Sequence, residues 1–428
     1  MSYITDLLPN ISDYANVKKV WRHDVFAGIT VGIVALPLAL AFGITTGAGA
    51  RSGLITAIYA GFIAAIFGGS NYQVSGPTGA MTVVLVPIVS KYGTASLAPL
   101  GLAAGVLVVV MGVTHCGGLI KRVPWPVMEG FTLGIALVIA LQQLPNVFAS
   151  KSVGGANTVI TAWRTASHAI LKGVHWSSIF ILIITLFVKF TYPVISRHFK
   201  VKVHIPASFI SIIVASLLVA IFPIHTPLIG DLPRSLLAHI SLSKSHIGIS
   251  ALVIGAIEIA LLAAIESLLS ARVADQMVHI HESAQSYQPN RELVGQGLAT
   301  IVSSFVGGMP ATGAIARTSV NIRSKAKSRI SAITHAIFLL LVVLVLNPII
   351  AHVPTAALGA VLIGTSYRMA RPTNLKELLK TTRLDAVTLV ATAVLVVVIG
   401  LIWAIAVGTL AYIFAGFILQ KMKEKAEE

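Results

Sequence analysis

Two short stretches of this 428-residue chain carry residue types that could hold a small ion inside a membrane. Gly68-Gly69 precedes Gly76-Pro77-Thr78-Gly79-Ala80-Met81, and Gly307-Gly308 precedes Pro310-Ala311-Thr312-Gly313-Ala314-Ile315. Each places Thr-Gly-Ala after a glycine pair and a proline. The apolar stretch following each is too short to cross about 30 Å of hydrocarbon as a helix. Half-helices starting at Thr78 and Ala314 would turn unpaired N–H groups and positive dipole ends toward one spot at the bilayer centre. That arrangement suits an anion. The glycines let an ion approach the backbone, and the Thr78 hydroxyl can donate a hydrogen bond. The expected anion-binding set is Thr78, Gly79, Ala80, Gly313, Ala314 and Arg317. The plainer alternative makes both Gly/Pro clusters kinks, but their matching positions in the two halves favour a site.

Arg317 is the only basic residue inside a hydrophobic segment. An uncompensated charge there is costly, and one helical turn into the second half-helix it reinforces a positive field. A structural ion pair is the competing role. Glu258 and Glu266 are the acids deepest within any segment. Eight helical residues rotate them about 80° apart, so they need not share a face. Glu266 is followed one turn later by Ser270, and a carboxylate with a hydroxyl at that spacing can hold Na⁺ or a proton. Glu258 is expected to bond a partner helix, and Glu129 and Asp275 to be wetted near membrane ends. The thirteen histidines are scattered, His279 and His281 falling in a loop, and Cys116 stands alone, so no metal centre is expected. No phosphate-binding loop, nucleophile elbow or dinucleotide fingerprint occurs, which argues against ATP-driven transport and against an enzyme.

These residues must be positioned by helices in lipid. Hydrophobic residues are 56% of the chain, charged residues 11%, and the mean hydropathy is +0.88, whereas soluble domains carry about 25% charged residues. The chain reads as an all-α polytopic membrane protein. Hydrophobic segments lie near 25–44, 53–68, 78–90, 97–118, 125–145, 176–191 and 206–223. A second set lies near 248–271, 293–306, 313–321, 330–350, 354–367, 384–400 and 401–420. Seven plus seven inverts the second half relative to the first, the construction of many secondary transporters. The expected organisation is a cytoplasmic amphipathic lead-in over 1–24, a first repeat over 25–235, a second over 236–420 and a short basic tail over 421–428. No secretory signal is read in the lead-in.

The net charge of +16 is not a nucleic-acid signature. With both termini cytoplasmic, 23 of the 31 basic residues fall on the inside, Lys189 among them, and seven on the outside. That is the positive-inside asymmetry of a multi-pass protein of the cell (inner) membrane, with anionic lipid as a further partner. Gly28/Gly32, Gly101/Gly105 and Gly130/Gly134 repeat at four residues, a spacing that lets helices pack closely.

The runs LPLALAFGITTGAGARSGL, SGPTGAMTVV and NRELVGQGLATIVSSFVGGMPATGAIARTSVN resemble the SulP family of anion transporters over nearly the whole chain. The resemblance is greatest to its bicarbonate-transporter branch. It implies fourteen segments in inverted repeats divided into core and gate domains, with an anion between the third and tenth. It implies a homodimer, and a coupling ion, Na⁺ or H⁺, at Glu266 and Ser270. The Na⁺-coupled branch has Asp in place of Glu266 and Thr in place of Ile315, and proton-coupled members carry Glu where this chain has Leu38. The family's cytoplasmic STAS domain is expected to be missing after LQKMKEKAEE.

The expected function is therefore secondary transport of a small inorganic anion, bicarbonate or sulfate, by an elevator-like movement. No cofactor is expected beyond the coupling ion. A proton-coupled nucleobase symporter of the same fold is the alternative, although that class places an acid where this chain has Arg317. A passive anion channel is the other.

Overall fold

The structure, a computed structural model, describes residues 7–15, 17–118, 123–153, 157–199, 205–230, 245, 247–279, 286–370 and 382–427. The expected repeat boundary at 235–236, the second loop histidine (His281) and the basic residues Lys121, Arg122, Lys200, Lys202, Arg234, Lys244, Arg371, Lys376 and Lys380 lie outside them. In chain order the first helices are α1 (Val17–Thr45), α2 (Ala50–Ile55) and, after a π turn over Thr56–Ala60, α3 (Gly61–Phe67). Strand β1 (Ser75–Gly76) leads into α4 (Gly79–Tyr92), and α5 (Leu97–Val113), α6 (Trp125–Leu141), α7 (Leu144–Phe148) and α8 (Thr158–Lys172) follow. Then come α9 (Trp176–His198), α10 (Ala207–Ile221), α11 (Ile249–His279) and α12 (Pro289–Phe305). Strand β2 (Thr312–Gly313) leads into α13 (Ile315–Arg323), and the chain ends with α14 (Ile330–Ala351), α15 (Thr355–Ala370), α16 (Arg383–Ile399) and α17 (Leu401–Glu427).

Among the described residues, eight helical stretches are long and apolar enough to cross a membrane by length and composition, and α4 and α10 are shorter apolar helices. The chain is a polytopic helical membrane protein. Contacts divide it into two compact units. One comprises Met1–Gly118, Asn146–Ala149 and His175–Val361; the other comprises Leu119–Pro145, Ser150–Val174 and Leu362–Glu428. Each unit draws on both halves of the chain.

Three features differ from the sequence reading. The first helix begins at Val17 rather than 25, and Asp24 within it is fully buried. Asp24 accepts the amides of Lys327 (2.7 Å) and Ser328 (3.0 Å), satisfying donors just before α14. Lys189 sits in no loop. It is 3% exposed inside α9 and donates to the Val361 carbonyl at 2.5 Å, because α9 runs on to His198. Helix α8 was read as loop. Its exposed apolar side chains, among them Trp163 and Leu171, alternate with Arg164, His168 and Lys172, so it has no continuous apolar run.

Lipid offers helices no hydrophobic reason to associate, so close packing of small residues holds them together. In the first unit, Gly105 on α5 and Gly297 on α12 face one another. A Cβ on either would lie within 2.8 Å of the other's carbonyl oxygen. Gly28 of α1 packs on Ser331 and Thr334 of α14. In the second unit, Gly130 and Gly134 of α6 pack on Leu389, Thr392 and Val396 of α16.

Candidate functional site

The two motifs meet in the first unit. Strands β1 and β2 pair antiparallel, Ser75 opposite Gly313 and Gly76 opposite Thr312. Each strand runs directly into a short helix. Thr78 is the extended N-cap of α4, its hydroxyl accepting the Met81 amide at 3.4 Å, and Ala314 is the extended N-cap of α13. Both helices therefore start beside the same two-stranded ladder.

Three side chains of α13 hold the extended segment that precedes α4. Asn321 donates to the Tyr72 carbonyl (2.8 Å), Thr318 accepts the Val74 amide (3.1 Å), and Arg317 Nη2 donates to the Pro77 carbonyl (2.6 Å). The matching segment before α13 is held from other helices. Thr56 in the π turn accepts the Met309 amide (2.7 Å), Ser303 donates to the Met309 carbonyl (2.8 Å), and Thr300 donates to the Ala311 carbonyl (3.2 Å). Broken backbone at membrane depth is tolerated when its polar groups are satisfied in this way. Glu292 performs that task for the first glycine pair. It accepts the amides of Gly69 (2.9 Å) and Ser70 (3.0 Å) and the side-chain amides of Gln73 and Gln296.

Glu266 of α11 reaches the ladder. Its Oε2 accepts from Thr78 Oγ1 at 2.8 Å and from Thr312 Oγ1 at 2.7 Å, and the two hydroxyls are 3.0 Å apart. Arg317 is 1% exposed and lies close enough to Glu266 for the two charges to act on each other. The site thus holds a carboxylate and a guanidinium, both formally charged, with two hydroxyls between the strands.

The structure places Thr78, Gly79, Ala80, Gly313, Ala314, Arg317 and Glu266 around one ladder, and corrects three expectations. The Gly313 amide donates to Ser267 Oγ (3.0 Å) and the Ala314 amide to the Val74 carbonyl (3.0 Å), so neither is left for an anion. A side chain of α11 takes the first and the segment leading into β1 takes the second. Among the described residues, the first-turn amides without an acceptor are those of Gly79 and Ala80 on α4 and Ile315, Ala316 and Arg317 on α13. Ser270 does not join Glu266; its hydroxyl lies 3.2 Å from Thr318 Oγ1. The hydroxyls on Glu266 come from Thr78 and Thr312, across helices. Glu258 is half-buried and has no hydrogen-bond partner among the described residues. Thr312, Ser267, Thr318 and Asn321 were missed, and only the repeated Thr-Gly-Ala could have pointed to Thr312.

The model of the sulfate permease family matches residues 21–392, which contain all of these groups. The chain belongs to that family. A candidate sulfate transporter of Bacillus subtilis, YvdB, is 35% identical over 409 residues, covering 93% of this chain and 74% of that protein. The bicarbonate transporter BicA of Picosynechococcus is 29% identical over 402 residues, covering 90% and 68%. Among solved structures, the transmembrane domain of a cyanobacterial bicarbonate transporter BicA superimposes with a TM-score of 0.82 at 27% identity, covering 90% of this chain and 98% of that one. The murine Solute Carrier 26 family member A9 anion transporter, in an inward-facing state, reaches 0.83 at 18% identity, covering 98% and 72%; that likeness concerns the fold. The relatives of this sulfate permease family member are transporters rather than enzymes.

Proposed function

We propose that this chain is a secondary active transporter of a small inorganic anion, bicarbonate or sulfate, moving its substrate by an elevator-like alternation. The observation that carries the reading is the shared ladder at which α4 and α13 begin, with buried Arg317 beside it. The anion meets the Gly79 and Ala80 amides, the Ile315 and Ala316 amides, the Thr78 hydroxyl and the field of Arg317. The fold is read as fourteen segments in two inverted repeats, 25–235 and 236–420, with core and gate domains and cytoplasmic ends. A homodimer is the expected assembly. The names of the relatives, sulfate transporter and bicarbonate transporter, support both substrates.

Glu266 supports coupling. An anion arriving beside an ionised carboxylate meets a like charge, and the carboxylate already engages the Thr78 hydroxyl. A proton or Na⁺ on Glu266 removes the repulsion and frees a donor. The deciding experiment is uptake of labelled bicarbonate, sulfate, chloride and dicarboxylates into proteoliposomes, with and without Na⁺ and H⁺ gradients. Concentrative uptake of one of the first two under an ion gradient is expected. Uptake that never passes equilibrium under any gradient points to a channel, and no uptake of any anion overturns the reading.

A further inference from the structure

Two fully buried polar groups near the ladder lack partners. His335 of α14 is 0% exposed, and neither ring nitrogen has a hydrogen-bonding partner among the protein atoms. Arg317 spends Nη2 on the Pro77 carbonyl, and its Nη1 has none. Native interiors pair nearly all such groups, through ordered water where protein supplies no partner.

Both groups face the same stretch of the helix that contains the π turn. A Cβ built on Gly61 would lie 3.6 Å from His335 Nδ1 and 3.3 Å from the Ser75 carbonyl oxygen. A Cβ built on Gly76 would press on Arg317 Nη1 and lie 3.3 Å from the Cα of Ala57. Ala57 lies within the π turn and Gly61 follows it directly. Glycine at 76 lets Nη1 of Arg317 lie directly against the backbone, and glycine at 61 has the His335 ring and the Ser75 carbonyl both beside it. The Arg317 guanidinium is close enough to act electrostatically on the His335 ring. π turns occur frequently at functional sites.

We propose that His335 and Arg317 share a buried water site against the π turn, and that His335 is a positioning residue for Arg317. A neutral imidazole offers one donor and one acceptor, and the guanidinium offers only donors. Water can accept from Arg317 Nη1 and donate to the bare nitrogen of His335 or to the Ser75 carbonyl. A bare anion would face the lone pairs of that carbonyl, so water is the occupant. The link fixes the guanidinium plane, keeping Nη2 on the Pro77 carbonyl and the positive charge beside the start of α4.

This rests on the anion site proposed above, and the test separates the two. Sulfate and bicarbonate uptake are measured for wild type, Arg317→Ala, His335→Gln, His335→Phe and the double variant Arg317→Ala/His335→Phe, with thermal unfolding as a folding control. His335→Phe should raise the anion KM about tenfold, the size expected for one hydrogen bond to a charged group. His335→Gln, which keeps a donor and an acceptor, should stay within about threefold, and His335→Phe should add nothing once Arg317 is alanine. Should His335→Phe fail to fold, Gly61→Ala replaces it in the same comparison, because its methyl group would sit 3.6 Å from Nδ1 and 3.3 Å from the Ser75 carbonyl oxygen. An unchanged KM in the folded variant, or a loss that adds fully to that of Arg317→Ala, overturns the water link. An Arg317→Ala variant with wild-type KM overturns the anion site itself.

Discussion

At the scale of single residues, the strongest consequence comes from amides rather than side chains. The Gly313 amide is bonded to Ser267 of α11 and the Ala314 amide to the Val74 carbonyl, which leaves Ile315 at the first position of α13 as a free donor. Proline is tolerated at a first helical position because the missing N–H is an orphan there. The preceding Ala314 is already extended, as a residue before proline must be. Ile315→Pro should therefore fold with an unfolding temperature near that of Ile315→Ala, yet bind the transported anion about tenfold more weakly, as measured by uptake KM. Equal KM values for the two variants would place the anion elsewhere. Glu266→Gln keeps the shape and the hydroxyl contacts but removes the charge. Uptake by this variant should lose its dependence on the coupling ion while anion KM changes by less than about threefold. A dependence as steep as in wild type would release Glu266 from that role. The repeated Thr-Gly-Ala made the positions legible in sequence. It could not reveal which amides are already bonded, since a two-residue ladder joining segments more than two hundred residues apart has no local signature.

At the scale of elements, hydrophobic segments located the helices because lipid demands apolar length. Their ends were less legible. The polar first turns of α1 gave no hydropathy signal and are largely exposed, and Asp24 at their end is buried because it serves the start of α14. The π turn and α8 likewise fall outside the simple periods. The packing role of Gly105 was legible, and its mutual approach to Gly297 suits a test. Gly105→Ala or Gly297→Ala drives a methyl group into the opposing backbone, which costs about 1–3 kcal/mol. Each should lower the unfolding temperature in detergent by several degrees. The double variant should be less than additive, since both push the same two backbones apart. Full additivity would mean that the helices do not meet there.

A second element-scale prediction concerns the short turn before α1. Asp13 in that turn accepts from Arg291 Nη2 at 2.5 Å and lies 3.7 Å from Arg329 Nη2. Partial burial works to raise its pKa, but the two arginines and the Asn10 amide outweigh it and hold the carboxyl below its usual range. A depressed carboxyl stabilises the fold at all pH values above its ordinary pKa, and that contribution disappears as pH falls through the lowered one. Wild type should thus unfold at a higher temperature than Asp13→Asn at neutral pH, with the gap closing below about pH 4. A gap that persists unchanged into acid would show that the carboxylate charge plays no part.

At the scale of the whole molecule, the proposal that both termini are cytoplasmic rests on where the positive charges fall. Basic residues are strongly unequal between alternate loops, and the positive-inside rule assigns the richer set to the cytoplasm. The same argument puts Lys151 outside and Lys421 inside, and both are exposed on the protein surface. Cys116 is the sole cysteine and can be replaced by serine to give a silent background. In that background, Lys151→Cys should react with a membrane-impermeant maleimide on intact cells. Lys421→Cys should react only after permeabilisation. The opposite pattern would overturn the cytoplasmic placement of the two termini. Labelling of both residues on intact cells would place the two ends of the chain's charge pattern on one face, and the count of alternating segments would have to change by one.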